Sequence, residues 1–250
     1  TVVNPMLNLI GGGGNRGNQL NMIGGTLNSL SGTLTPLFVG SLIGEVTKNT
    51  SIIDVNPVLY IAMGVFVVAF VILTYIPIQD PKNSKTGTNV TFEYSPWNFR
   101  HFVLGAIAIF VYVGVEVGIP GTLIYYLSDT TAIGGGLPKA TATAIAASVA
   151  ATYWFLMLIG RFIAGFIASK ISSKTLMSCT TILAMILITT AIVLGKSAAV
   201  SMPAFTGSAF NMVVVPVSAL LLVLCGLCTS VMWPCIFNLA TEGLGKYTEP

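Results

Sequence analysis

Residues 58–78 carry no charged side chain, and residues 212–239 repeat the pattern. Uncharged apolar runs of that length are what a bilayer asks for, since a spanning helix needs about 20 mostly apolar residues. Four further segments read the same way, so helical spans are predicted at 20–44, 54–77, 102–127, 141–169, 174–195 and 213–240. Residues 1–10 read as the tail of an earlier span. Only 8% of the 250 residues are charged and 54% are hydrophobic, whereas soluble domains carry about 25% charge. The predicted fold class is all-α, a polytopic transmembrane helical bundle of about six full spans plus a partial one.

The first predicted span is the least apolar, with Asn21, Asn28 and several Gly, Ser and Thr. Such residues suit a helix packed closely on neighbours or lining a cavity. Pro36, Pro57, Pro120, Pro216 and Pro234 fall inside the predicted spans. A helix bundle tolerates them because neighbouring groups satisfy the freed carbonyls.

The formal charge of +3 forms no basic run or basic helix face, so nucleic acid is not a predicted partner. The four cysteines all lie in apolar stretches. Cys225 and Cys228 form a C-x-x-C, but with no second pair and no nearby His they read as small packing residues. The sequence begins at Thr1 with no basic segment before its first apolar stretch, so no signal peptide is predicted. Both ends read as cut from a longer protein.

Orientation follows from Lys and Arg. Arg16, Lys82, Lys85, Arg100, Lys170, Lys174 and Lys246 fall on one side, with Arg161 close by. Only Lys48, Lys139 and Lys196 fall on the other. The first side is predicted to be cytoplasmic. The longest polar connection, 79–101, then becomes a cytoplasmic linker between two helical blocks, 1–78 and 102–250. His101, at its end, reads as an interfacial residue.

Enzymatic motifs are missing. There is no G-x-x-x-x-G-K-[ST], H-E-x-x-H or G-x-S-x-G, and the single His disfavours a nucleophile–His site. No catalytic residue, metal site or cofactor is predicted. The glycine-rich stretch 11–17 follows no strand and reads as a tight turn between spans.

Glu116 stands out. It lies roughly 21 Å from the cytoplasmic end of its span, at 1.5 Å per residue. A charge at that depth costs at least about 2.5 kcal/mol. The cost falls if the carboxyl group faces a wet cavity, pairs with a cation or takes up a proton. Arg161 is the candidate cation, with an axial gap of about 8 Å, although snorkelling toward the cytoplasm is the favoured expectation for it. Tyr112 shares a helix face with Glu116, and Asn21 shares one with Asn28. Amides match the hydroxyls of a neutral sugar, and Trp233, near Asn238 and Pro234, offers a flat apolar platform. Tyr125, Tyr126, Tyr153 and Trp154 read as an interfacial belt.

The opening residues Thr1-Val2-Val3-Asn4-Pro5, followed by GGGGNRGNQLNMIGGTLNSLSGTLTPLFVG, resemble the fourth-to-fifth span region of the fucose–proton symporter family, which includes bacterial glucose/galactose permeases within the major facilitator superfamily. Tyr112-Val113-Gly114-Val115-Glu116-Val117 resembles its seventh span and Ile159-Gly160-Arg161-Phe162 its eighth. The stretch from Gly226 to Ser230, Pro234, Ile236-Phe237 and Glu242-Gly243-Leu244-Gly245-Lys246-Tyr247 resemble its tenth. The resemblance covers essentially the whole chain. It implies a fold of twelve spans in two six-helix halves, with the substrate at the midplane between them and uptake driven by protons through alternating access.

On that mapping residues 1–78 hold the end of span four and spans five and six, and residues 102–250 hold spans seven to ten. The family's span-one and span-four acids fall outside this sequence. The resemblance places Asn28 on a sugar-contacting Asn and Gly25 where relatives carry Gln. Glu116 stands where they carry Glu or Gln. The resulting expectation is a proton-coupled monosaccharide symporter of the bacterial inner membrane, monomeric at full length. Asn28, Tyr112, Glu116, Trp233 and Asn238 would contact substrate, Glu116 would couple protons, and Arg161 would serve conformational gating. A sugar sensor that does not transport, or a facilitator-type carrier of another small solute, is the alternative, and an intramembrane enzyme is disfavoured.

Overall fold

The structure is a computed structural model that describes residues 3–12, 14–43, 51–75, 94–129, 131, 134–206 and 209–244. Seven helices are described: α1 (Val3–Ile10), α2 (Gly14–Ile43), α3 (Ile52–Tyr75), α4 (Arg100–Ser128), α5 (Ala142–Ile167), α6 (Ser173–Leu194) and α7 (Val217–Thr241). A short 3-10 turn at Pro96–Asn98 precedes α4. Five of the helices, α3 to α7, are long and apolar enough to cross a membrane. The chain is thus a helical transmembrane bundle. α2 is long enough but falls short in composition because of its Asn, Gly, Ser and Thr.

The chain divides into two compact units, Thr1–Leu30 with Phe92–Pro250, and Ser31–Thr91. The second contains α3, whose side chains from Leu59 to Tyr75 are exposed throughout. All-round apolar exposure suits a helix whose surroundings are lipid. Most of the predicted linker, 79–93, lies outside the described residues. His101 is exposed in the first turn of α4, edge-on to Phe99.

In the first unit α4, α5 and α6 all pack against α7. The reason is legible in α7, whose buried positions include Ser218, Ala219, Cys225, Gly226, Cys228, Thr229, Ser230 and Cys235. Without a hydrophobic drive between helices in lipid, small side chains that let backbones approach take over. Three buried clusters result. One joins Met22 of α2 to Ala164, Val231 and Cys235. Another holds Tyr153, Met157 and Cys225. The largest lies where Leu123 and Leu127 of α4, Ile145 and Val149 of α5, and Ala219 and Val223 of α7 meet a β-hairpin.

That hairpin corrects the predicted last span. Residues 213–216 are not helical. They belong to β2 (Phe210–Pro216), paired antiparallel with β1 (Ala199–Phe205), Pro203 opposite Met212. Val213-Val214-Val215 is a β-branched run that favours a strand. Pro216 occupies the N-cap of α7, where a missing N–H costs nothing to the helix.

The helix boundaries have local causes. Gly12 and Gly14 adopt φ of 72° and 57° where α1 passes into α2, a region that side chains disfavour. The expected turn falls at Gly11 and Gly12, while residues 14–17 of the glycine-rich stretch already belong to the first turn of α2. At α6, Ser172 is the N-cap and its Oγ accepts from the Thr175 N–H at 3.2 Å. Ser172→Ala is expected to cost about 1 kcal/mol, read as a lowered thermal midpoint of the full-length protein. At the C-cap of α4, the Thr131 N–H and hydroxyl donate to the Asp129 carboxylate at 2.8 and 2.9 Å and hold it below the usual carboxylate range.

Candidate functional site

Arg161, on α5, is buried, with its side chain only 7% exposed. A guanidinium has five N–H donors and no acceptor. Here Nε donates to the Ser230 carbonyl of α7 at 3.2 Å. Nη1 donates to the Gly25 carbonyl and Ser29 Oγ of α2 at 3.2 and 2.6 Å. Nη2 donates to Tyr112 Oη and Glu116 Oε1 of α4 at 3.5 and 3.2 Å. One cation therefore ties together four helices, and the Arg161–Glu116 ion pair removes the objection to a carboxylate at that depth. The expectation that Arg161 snorkels away is overturned. The axial spacing was bridgeable, and a fork of five donors gains more from four converging helices than from one interface.

Gly25 is part of the reason. A Cβ there would sit 3.5 Å from Arg161 Cδ, so a larger side chain would occupy the space through which the guanidinium reaches α2.

A second layer supports the first. Tyr112 Oη donates to the Thr229 carbonyl at 3.1 Å. Thr229 Oγ1 meets Tyr153 Oη at 3.0 Å. Tyr153 is fully buried near the middle of α5, so its predicted place in an interfacial belt is corrected. Its hydroxyl bonds to the buried Thr229, in place of the water that an interfacial position would offer it.

Of the residues expected to contact substrate, Tyr112 and Glu116 share this cluster. Asn28 does not. It is exposed, next to the buried Ser29. Asn21, one face-repeat earlier, is buried, so the shared face changes environment along α2. Trp233 is half-buried and stacks on Phe237, with centroids 5.4 Å apart and planes 7° apart.

Asn238 belongs to a separate polar node, donating to Ser173 Oγ at 2.9 Å. Asn18 donates to the same oxygen at 3.0 Å. Asn18 Oδ1 and both amide atoms of Asn21 are buried with no hydrogen-bond partner among the described residues. Ser173→Ala would strand the Asn238 amide and leave the Asn18 amide only Cys235 Sγ, at 3.7 Å, at an expected cost of about 1–3 kcal/mol, measured by thermal unfolding of the full-length protein. An open cavity of about 650 Å³ lies elsewhere, between the hairpin and the α4–α5 connection, and includes none of the expected contact residues.

Sequence reasoning named Gly25 only as a departure from the family pattern and missed the roles of Ser29, Thr229, Ser230 and Ser173. Small polar residues at helix contacts are the only signal they carry, and it does not name their partners.

This chain is similar to glucose/galactose transporters. The glucose/galactose transporter of Brucella abortus biovar 1 (strain 9-941) is 32% identical over 227 residues, covering 89% of this chain and 49% of the relative. The putative glucose/galactose transporter of Helicobacter pylori (strain ATCC 700392 / 26695) is 28% identical over 258 aligned residues, covering 100% of this chain and 56% of the relative. The chain thus spans about half the length of the curated relatives it matches. No family model and no solved structure matches it.

Proposed function

We propose that the chain belongs to a proton-coupled sugar transporter of the major facilitator type. It would carry a neutral monosaccharide of the glucose or galactose class through the bacterial inner membrane by alternating access, as a monomer and without a cofactor. The observation that carries this reading is the Arg161–Glu116 pair, its guanidinium buried and its carboxylate half-buried, held by four helices. Similarity to glucose/galactose transporters supplies the substrate class.

Arg161 is shared. Glu116 and Tyr112 hold it from α4, and Gly25 and Ser29 hold it from α2. Proton uptake by Glu116 removes the charge that opposes the guanidinium, leaving Arg161 bound by neutral oxygens alone. Its hold on α2 and α4 then changes together, which couples a proton to helix movement. Sugar hydroxyls compete for the same oxygens, with Asn28, Tyr112, Glu116 and Trp233 as contacts. Asn238 joins them only if its bond to Ser173 opens. The Asn18–Ser173–Asn238 node suits such opening, because Asn18 Oδ1, buried without a partner among the described residues, gains a hydrogen bond when water enters.

The test is counterflow of labelled glucose and galactose into proteoliposomes holding the full-length protein. Accumulation against preloaded sugar supports transport. Saturable binding without counterflow rejects it and leaves a sensor.

A further inference from the structure

From Ser197 to Thr241 the chain carries no charged residue. α7 accounts for only the second part of that run, Val217–Thr241. The first part is the β1–β2 hairpin, which lies outside the helical spans and yet avoids charge as they do.

Its two faces explain why. One face packs inward, with Met202, Ala204 and Val215 buried on α4, α5 and α7. In water the other face of an antiparallel pair is polar. Here it consists of the pairs Ser201–Val214, Pro203–Met212 and Phe205–Phe210. Phe210, Met212 and Val214 are 71%, 66% and 60% exposed. The Phe205 and Phe210 rings lie 5.5 Å apart at the hairpin's end. Outward apolar residues across both strands form a patch that water does not favour.

What covers the patch follows from its surroundings. The hairpin runs into α7 with no intervening loop, Pro216 being both the end of β2 and the cap of the helix. At its other root, Ile192 and Val193 in the last turn of α6 are 75% and 79% exposed, continuing the apolar surface of a spanning helix. The same end of the bundle carries Tyr125, 79% exposed in the last turns of α4, the placement of an interfacial aromatic. Asp129, Lys139 and Lys196 lie just beyond the helix ends there, while the hairpin has no charge to hold it in water.

We propose that the β1–β2 hairpin is a membrane-surface anchor, its Phe210–Met212–Val214 face seated in the boundary between headgroups and acyl chains. The partner is the bilayer leaflet at that end. The idea does not depend on what the protein transports.

The test is site-directed spin labelling of the full-length protein in phospholipid nanodiscs, with native cysteines replaced. Labels go at Ser201→Cys, Met212→Cys and Val214→Cys, with Lys196→Cys as the aqueous reference. Collision rates with oxygen, which partitions into lipid, and with a water-soluble nickel chelate are compared. The expected result is an oxygen-to-nickel ratio at 212 and 214 several-fold above that at 196. A ratio equal to the reference would overturn the proposal by placing the face in water. Low collision with both reagents would overturn it by showing that protein covers the face.

Discussion

Replacing Arg161 with leucine is expected to destabilise the full-length protein by about 3–5 kcal/mol and to reduce sugar uptake to background. The stability loss has two sources. Glu116, its side chain only 16% exposed, loses its counter-ion while remaining largely shielded from water. The Gly25, Ser230 and Ser29 oxygens lose their donor in the same step. Removing one partner of a buried pair costs more than removing both, because the survivor is left uncompensated. The double replacement Arg161→Leu with Glu116→Gln is therefore expected to recover part of the stability while uptake stays absent. Arg161→Lys keeps the charge but offers three donors from one nitrogen and cannot reach three helices as a planar fork. Thermal unfolding and uptake of the three variants check these outcomes. Equal destabilisation by the single and the double replacement would mean that the ion pair contributes nothing.

Gly226→Val is expected to cost about 3 kcal/mol, at the upper end of ordinary overpacking. A Cβ at Gly226 would collide with the backbone carbonyl of Tyr153. A side chain can rotate aside, but a carbonyl within α5 cannot move without the helix. The displaced segment carries the Tyr153–Thr229 bond and, two turns on, Arg161. Uptake is therefore expected to fall together with stability, and Gly226→Ala to give a smaller loss in both. A fully stable Gly226→Val protein would contradict the close α5–α7 contact.

The helices were legible because burial in lipid demands length and apolarity together, and both are countable along the chain. Residues 102–127 and 174–195 match α4 and α6 to within two residues at either end. The hairpin was not legible for the same reason. Val213-Val214-Val215 extends an apolar run without a break, so hydropathy alone merges a strand with the helix after it. Glu116 could be singled out, since an acid far from any span end is costly wherever it points. Its partner was harder. The axial estimate placed Arg161 within reach but treated the helices as upright rods of known depth, and helix rotation decides what a long side chain meets. Tyr153 was misjudged because distance from a predicted span end says nothing about facing. Asn18, Ser29 and Ser173 were unreadable individually, because each acquires meaning from partners on other helices far away in the sequence.

Sugar-driven proton uptake by proteoliposomes holding the full-length Glu116→Gln protein measures the coupling role of the Arg161–Glu116 pair most directly. Glutamine keeps the shape and the hydrogen bond to Arg161 but cannot exchange a proton. The expected result is that labelled sugar still equilibrates while the proton flux that accompanies it disappears. Proton movement and sugar accumulation equal to those of the unaltered protein would contradict any coupling through Glu116.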